Sequence, residues 1–365
     1  MSDFFIGLMS GTSLDGADGV LVDFSSPKLH VLASATEAFS SDFRAELLAL
    51  NTPSHNELHR SACAANQLAE MYAKVVGSLL HDAGLAAKDI QAIGAHGQTV
   101  RHQPASGYTT QLNNPSLLAE RTGIDVVADF RSRDVVAGGQ GAPLVPAFHQ
   151  SVFGKPGATT LVLNIGGISN LSILPANGSV LGFDCGPGNA LMDAWCHQHT
   201  GQRFDVGGQW AASGQLIGAL LAHLLNEPYF SMPPPKSTGR DLFSMAWLAS
   251  KLQPFATQCP EDVQNTLTEF TASACISGAS SYLKDSKELI VCGGGAFNQH
   301  LMQRLQAGLP SLKVISSDAH GLPPLQVEAA AFAWLARQTT RRLPGNLPSV
   351  TGAAGLRVLG AIYPA

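Results

Sequence analysis

The sequence predicts an α/β protein of two duplicated domains, and three observations carry that expectation. Phe4 to Met9 and Val20 to Phe24 are apolar, strand-like runs on either side of a Gly- and Ser-rich turn, the pattern of an antiparallel hairpin. About 155 residues later, Thr160 to Ile165 and Asn170 to Leu174 repeat the pattern around Gly166-Gly167, as a duplicated domain would. In both halves the strand-like runs are followed by apolar residues at helical spacing.

In the first half, Val31 to Phe39 reads as a third strand. Leu68, Met71, Val75 and Leu79 then mark a helix that ends near Gly84. Ile90 to Ala95 is a further strand, stopping at His96-Gly97-Gln98-Thr99. In the second half, Leu181 to Phe183 leads into the turn Asp184-Cys185-Gly186-Pro187-Gly188 and a helix through Asp193 and Trp195. Helices follow at Leu216 to Leu224 and around Val263, Leu267, Phe270 and Ala274. Leu289 to Cys292 has the character of a buried strand and runs into Gly293-Gly294-Gly295, before a helix marked by Leu301, Met302 and Leu305. Met232 to Arg240, with three consecutive prolines, suits an exposed semi-rigid loop that is either a connector or a ligand-binding segment. The expected domains are 1–140 and 141–365, with the last residues able to pack back on the first domain.

With 365 residues, 45% of them hydrophobic and 13% charged, the chain has material for two cores. A net charge of -5 without a basic stripe argues against nucleic acid or an anionic membrane surface as partner. Six scattered cysteines with no CxxC pair read as reduced, packed thiols, and the N-terminus has no signal-peptide pattern. A cytoplasmic location is expected.

A turn rich in Gly, Ser and Thr exposes backbone N–H groups and hydroxyls that bind phosphate oxygens without lysine, although the same glycines also serve plain hairpin geometry. The segment Ser10 to Gly16 has this character. Its counterpart, Asn164-Ile165-Gly166-Gly167-Ile168-Ser169-Asn170, makes a pair of turns able to hold one polyphosphate. Gly293 to Ala296 allows either close approach of an adenine or ribose or tight strand-to-helix packing. Asp184, at the end of an apolar strand, is placed either as a general base or as an Asx-turn or helix cap. His96, Gln98, Thr99 and Arg101 offer polar groups for sugar hydroxyls, while a zinc site on His96 and His102 lacks further ligands at suitable spacing. Arg131 and Arg133 are guanidinium forks for a carboxylate, or surface partners of Asp129 and Asp134.

In order, these elements resemble the actin, hexokinase and heat-shock ATPase superfamily, and more narrowly the anhydro-N-acetylmuramic acid kinase family. The resemblance runs through Ile6 to Gly16, Ala95 to Thr99, Gly139 to Pro146, Asn164 to Asn170, Phe183 to Asn189, Pro234 to Arg240 and Val327 to Phe332. It implies two duplicated actin/hexokinase-like (ribonuclease H-like) domains with an interdomain ATP cleft. It also implies hydrolytic opening and phosphorylation of 1,6-anhydro-N-acetylmuramic acid in peptidoglycan recycling, with a kinase for another amino sugar as the alternative.

By the same resemblance, Asp184 is the catalytic base. Gly11, Thr12, Ser13, Leu14, Asp15, Gly16, Ala17 and Asp18 form an ATP phosphate segment, joined by Asn164, Gly166 and Gly167. Gly293, Gly294 and Gly295 form the adenosine loop, and Glu328 also serves the nucleotide. His96, Asp129, Arg131 and Arg133 lie near the sugar, an arginine meeting its lactyl carboxylate. Mg²⁺ comes with ATP, and the family is usually homodimeric. Where many superfamily members carry metal-linked aspartates, this chain has Met9 and Asn164, so the expected metal rides on the phosphates.

Overall fold

In a computed structural model describing residues 3–11, 14–234, 236–239 and 242–365, β1 (Phe4–Met9) and β2 (Gly16–Asp23) form the first hairpin. β3 (His30–Ala38) completes an antiparallel meander. Two helices follow, α1 (Ser41–Ala49) and α2 (Glu57–Ala83). The buried stripe of α2, including Leu68, Tyr72, Val75 and Leu79, packs into the core with Ile6, Leu8 and Leu21. Gly84, in the left-handed region, closes the helix.

β4 (Ala92–Ala95) runs parallel to β1. β5 (Gln98–Gln103) and β6 (Tyr108–Leu112) make a separate two-stranded ribbon. α3 (Pro115–Thr122), β7 (Val126–Ala128), α4 (Ser132–Val136) and α5 (Val145–Phe153) end this stretch, with β7 parallel to β4.

A second meander then begins: β8 (Thr159–Ile165), β9 (Ile168–Leu174) and β10 (Leu181–Pro187), all antiparallel neighbours. After it come α6 (Ala190–Thr200), α7 (Gln209–Ser213), α8 (Gly218–Leu225), α9 (Met245–Leu252) and the 20-residue α10 (Pro260–Ala279). β11 (Ser286–Cys292) is parallel to β8, and after α11 (Gln299–Gly308), β12 (Lys313–Ser316) is parallel to β11. The chain finishes with α12 (Val327–Thr340), α13 (Pro348–Thr351) and β13 (Ala361–Tyr363).

The strand order of the first sheet is β13-β7-β4-β1-β2-β3 and that of the second is β10-β9-β8-β11-β12. Leaving aside β13, the two sheets have the same order and the same strand directions: an antiparallel meander, then two parallel strands beyond its first member. The repeated hairpin in the sequence thus belongs to a repeated sheet.

Contacts divide the chain into one unit running to Val152 and resuming at Gln326–Ala365, and a second unit, Phe153–Leu325. The expected boundary at 140/141 is displaced to the end of α5, because α5 contributes Phe148 to a contact with Trp334 of α12. The C-terminal residues 326–365 belong wholly to the first unit. Two glycines explain how α12 sits there. Gly7 of β1 and Gly94 of β4 are paired neighbours, and a Cβ on them would lie 1.8 Å from the Ala329 carbonyl oxygen and 2.0 Å from that of Phe332. The helix backbone therefore rests directly on the sheet. Each unit has its own apolar core. Among the described residues no helix is long and apolar enough to cross a membrane, and all six cysteines are free.

Candidate active site

In the second unit, strand register brings a row of polar side chains together at the turn end of the sheet. Asp184 of β10 is paired with Asn170 of β9, Asn170 with Asn164 of β8, and Asn164 with Cys292 of β11. Directly paired residues project to the same face, so these four form one polar line across four strands. The register breaks between Asp184 and Gly186, a bulge that re-aims the carboxylate. Gly186 has φ 148°, and a Cβ there would come within 2.9 Å of the Phe230 ring, so the bulge requires glycine.

Asp184 is neither an Asx-turn nor a helix cap. Its Oδ2 accepts hydrogen bonds from Ser237 Oγ and Thr238 N, each at 2.9 Å, while Oδ1 has no partner among the described residues. Its backbone is held from the same side: Asp184 N donates to the Lys236 carbonyl at 3.0 Å, and Tyr229 OH donates to the Asp184 carbonyl at 2.6 Å. Lys236 in turn lies 4.6 Å from the centre of the Tyr229 ring. The proline-rich segment is therefore the clamp on the aspartate. Burial raises the Asp184 pKa above the ordinary carboxylate value, opposed by the bonds from Thr238 and Ser237. A carboxylate with one free oxygen and raised basicity has the chemistry a general base requires.

Beside this row, the second hairpin turn is tied to the β10–α6 junction. Asn189 N donates to the Gly166 carbonyl at 2.8 Å, Gly188 N to that of Gly167 at 2.9 Å, and Asn189 Nδ2 to that of Ile165 at 3.1 Å. Gly166 itself faces space, since a Cβ there would meet nothing closer than 3.7 Å. The Gly293–Gly295 loop packs on the same turn: a Cβ on Gly293 would lie 2.5 Å from Asn164 Oδ1, and one on Gly295 2.4 Å from the Ile165 side chain. The structure thus brings Asn164, Gly166, Gly167, Gly293, Gly294 and Gly295 into one corner of the sheet, two strands from Asp184.

In the first unit, the 11–18 segment is mixed. Thr12 and Ser13 lie outside the described residues, as do Pro235 and Arg240 of the proline-rich segment. Leu14, at φ 57°, and Ala17 have buried side chains, and Gly16 is paired with Ala38 inside the sheet. Ser10 is buried, its hydroxyl donating to Gln98 Oε1 rather than facing outward. Asp15 lies 3.8 Å from Arg44. Asp18 accepts from Thr36 Oγ1 at 2.7 Å, and its pKa is raised by burial of the carboxyl, opposed by Thr36 and reinforced by Asp15.

The same unit holds a cavity of about 230 Å³ whose lining includes His96, Gln111, Asn113, Asp129, Ser132 and Tyr363. His96 is 5% exposed and accepts a hydrogen bond at Nε2 from Arg131 Nε at 3.0 Å. Burial, then the Arg131 charge, push its pKa well below the ordinary value, against the nearby backbone of Gly97 and Ser10, so the ring is neutral with its proton on Nδ1. Arg131 also donates from Nη1 to the Gly141 carbonyl at 2.8 Å. Desolvation lowers its pKa to about 10, with Glu328 and Asp134 opposing, and it stays a cation at neutral pH. Glu328, in the first turn of α12, has a pKa raised by desolvation, opposed by Arg131 and reinforced by Asp18.

Asp129 adopts φ 61°, a left-handed conformation that aspartate tolerates better than most residues. Arg133 is exposed on α4 and does not line the cavity. Asp134, open in sequence to a surface ion-pair role, is instead fully buried. It accepts from Gly141 N, Asn346 Nδ2 and Thr351 Oγ1 at 2.7 to 2.8 Å and so holds the Gly141 loop to which Arg131 donates. Sequence reasoning also passed over Ser237 and Thr238 as the clamp on Asp184 and Asn113 as a cavity residue. Their roles come from register and long-range contacts rather than local pattern.

Two units with the same meander-plus-parallel sheet, one carrying a Gly-rich corner and the clamped Asp184 and the other a polar cavity, make a duplicated α/β protein. The anhydro-N-acetylmuramic acid kinase family model matches residues 3–365. The chain belongs to that family. It is 64% identical to the anhydro-N-acetylmuramic acid kinase of Variovorax paradoxus (strain S110), covering 100% of this chain and 99% of that one. It is 63% identical to the enzyme of the same name from Albidiferax ferrireducens, covering 100% of both. Among solved structures it is similar to the activator of the 2-hydroxyisocaproyl-CoA dehydratase from Clostridium difficile with bound ADPNP, at 15% identity and TM-score 0.45, over 93% of this chain and 98% of that one.

Proposed function

We propose that the chain uses ATP and water to convert 1,6-anhydro-N-acetylmuramic acid into N-acetylmuramic acid 6-phosphate, with Asp184 as the base. The observation that carries this reading is Asp184 itself, fixed through Oδ2 and its backbone with Oδ1 unengaged among the described residues. Asp184 takes a proton from water while the water oxygen bonds to the anomeric carbon and the bond from that carbon to O6 breaks. The electron pair left on O6 forms the new bond to the γ-phosphorus, and ADP leaves with the bridging oxygen. Opening the strained internal acetal creates the phosphoryl acceptor in place, so the protein's work is alignment and charge stabilisation.

The second-unit corner of Asn164, Gly166, Gly167 and Gly293 to Gly295 is assigned to nucleotide, with the 11–18 turn and Glu328 assigned to its phosphate side. His96, Asp129 and Arg131 are assigned to the sugar, with Arg133 outside the cavity. Among the described residues no group of three His, Cys, Asp or Glu side chains converges as a metal site. Magnesium enters with ATP, as part of the Mg-ATP substrate. A cytoplasmic homodimer acting in cell-wall recycling completes the reading; neither an anionic membrane nor nucleic acid is among the partners it assigns.

Incubation with Mg-ATP, the anhydro-sugar and ¹⁸O-water tests it. The label is expected on the anomeric hydroxyl of a 6-phosphorylated product. Absence of any sugar phosphate would overturn the reading, and unlabelled product would remove the hydrolytic step.

A further inference from the structure

The proline-rich segment carries a lysine that neither the nucleotide nor the sugar assignment uses, and its side chain is turned inward. Lys236 Nζ donates to the Tyr229 carbonyl at 3.2 Å and lies 4.6 Å from the centre of the Tyr229 ring. The Lys236 carbonyl accepts from Asp184 N at 3.0 Å, and Tyr229 OH donates to the Asp184 carbonyl at 2.6 Å. Strand β10, the turn at Tyr229 and the proline-rich loop thus close one circuit.

Each member of that circuit is placed to hold the next. Tyr229 is buried edge-on against Phe230 and Phe243, with ring centres 5.7 Å apart in both pairs. Burial, then the neighbouring Asp184 and Cys185, raise its phenol above the ordinary value, so the hydroxyl stays protonated and remains a donor. Its acceptor is the carbonyl of the residue at which the β9–β10 register breaks. Lys236 in turn fixes the loop whose next two residues, Ser237 and Thr238, supply both hydrogen bonds to Asp184 Oδ2. Among the described residues, the titratable side chains around Asp184 are the Tyr229 phenol, the Cys185 thiol and Lys236. The phenol is neutral, and so is the thiol, which is raised by its hydrogen bond with Cys275 and then by burial. The lysine is therefore the charge in the circuit.

We infer that Lys236 and Tyr229 are positioning residues of the reaction: the lysine latches the loop onto the tyrosine, and the pair keeps Asp184 Oδ2 on Ser237 and Thr238 while Oδ1 is left for the proton. This deepens the assignment of Asp184 as the base and rests on it. It also gives the lysine a duty other than gripping phosphate, the usual one for a Lys beside hydroxyls in an exposed loop.

The test uses the full-length chain and the variants Lys236→Met, Lys236→Arg and Tyr229→Phe. The Asp184 carboxyl is read directly, by ¹³C titration of protein labelled at aspartate, with its signal assigned by loss in Asp184→Asn. Lys236→Met removes the charge and keeps the stem. Tyr229→Phe keeps the ring and the net charge and deletes only the hydroxyl. In both, looser bonds to Oδ2 are expected to move the Asp184 titration to higher pH and to lower kcat by about 10- to 100-fold, with Kd for Mg-ATP within about twofold of wild type. Lys236→Arg, which returns a cation to the ring face, is expected to bring the titration back. Because both positions lie on one circuit, Lys236→Met with Tyr229→Phe is expected to shift it no further than the larger single change. An Asp184 titration that stays in place in folded Lys236→Met and Tyr229→Phe overturns the positioning role. A Kd for Mg-ATP weakened by about tenfold or more in Lys236→Met, with the titration unmoved, also overturns it and makes Lys236 a phosphate ligand. A titration that moves as expected while Asp184→Asn keeps full turnover leaves the circuit standing and defeats the base reading alone.

Discussion

Asp184 has a pKa raised by burial even after two hydrogen bonds to Oδ2 have lowered it, so water around the free oxygen competes poorly for its proton and the carboxylate is a stronger base than an exposed one. Replacing it by Asn is expected to reduce turnover by about 10²- to 10⁴-fold while calorimetry shows ATP bound as before. The same substitution is expected to raise the melting temperature at neutral pH. A carboxyl whose folded pKa exceeds its unfolded one stabilises the fold while protonated, and that contribution is lost as pH rises through the folded value, so at pH 7 the charge opposes folding. Ser237→Ala removes a bond that lowers the pKa. The acid limb of kcat/KM should therefore move to higher pH, and a limb that stays in place or moves down would show that Ser237 does not set the base. At this scale the local pattern placed Asp184 at a strand end before Gly-Pro-Gly but left base and Asx-turn or cap open, and it was the contacts from Ser237 and Thr238 that excluded the turn and the cap. The pattern was silent about Asp134, whose burial depends on Asn346 and Thr351, more than 200 residues away. Ser10 shows the converse: its turn looks like a phosphate loop, yet its hydroxyl is committed to Gln98 across the sheet.

Elements were legible where period and punctuation agreed. The hairpins, α2 and α10 fall where alternation, helical spacing and flanking glycines put them, because one buried face dictates each pattern. The short strands β7, β12 and β13 carry too few residues to show a period, and β13 is defined only by its pairing with β7. The seat of α12 was likewise hidden, since nothing local distinguishes a glycine that admits a helix backbone from one that merely turns the chain. Its energetic consequence is specific. Gly7→Ala or Gly94→Ala places a methyl within 2.0 Å of an α12 carbonyl oxygen, and each is expected to destabilise the first unit by ~3 kcal/mol and to lower activity by displacing Glu328 at the start of that helix. Gly77, inside α2, has nothing within 4 Å of its missing Cβ. Gly77→Ala should instead stabilise by about 0.5–1 kcal/mol, through helix propensity and reduced freedom of the unfolded chain. Chemical denaturation of the three variants checks the contrast, and equal effects at Gly7 and Gly77 would refute the close seat of α12.

For the molecule as a whole, one unit is inserted in the other: 153–325 interrupts a domain whose last helix and strand return at 326–365. Each unit has its own sheet and core, so each has its own opening free energy, and a ligand stabilises the unit that binds it. The sequence provides separate reporters. Trp334 is the first unit's tryptophan and is buried in α12, whereas the buried thiols Cys185, Cys196, Cys275 and Cys292 all belong to the second unit. In a Trp195→Phe, Trp210→Phe, Trp247→Phe background, Trp334 emission follows the first unit while thiol labelling follows the second. ADP at 100 times its Kd supplies about 2.7 kcal/mol, enough to shift a midpoint by several degrees. The expectation is that ADP raises chiefly the temperature at which the thiols become reactive, and that the anhydro-sugar raises chiefly the Trp334 midpoint. Any additional movement of Trp334 by ATP over ADP then tests the assignment of the 11–18 turn and Glu328 to the γ-phosphate. If each ligand shifts both reporters equally, the units melt as one cooperative body. If ADP moves only Trp334, the nucleotide belongs to the first unit and the corner at Gly166 and Gly293 serves strand-to-helix packing alone.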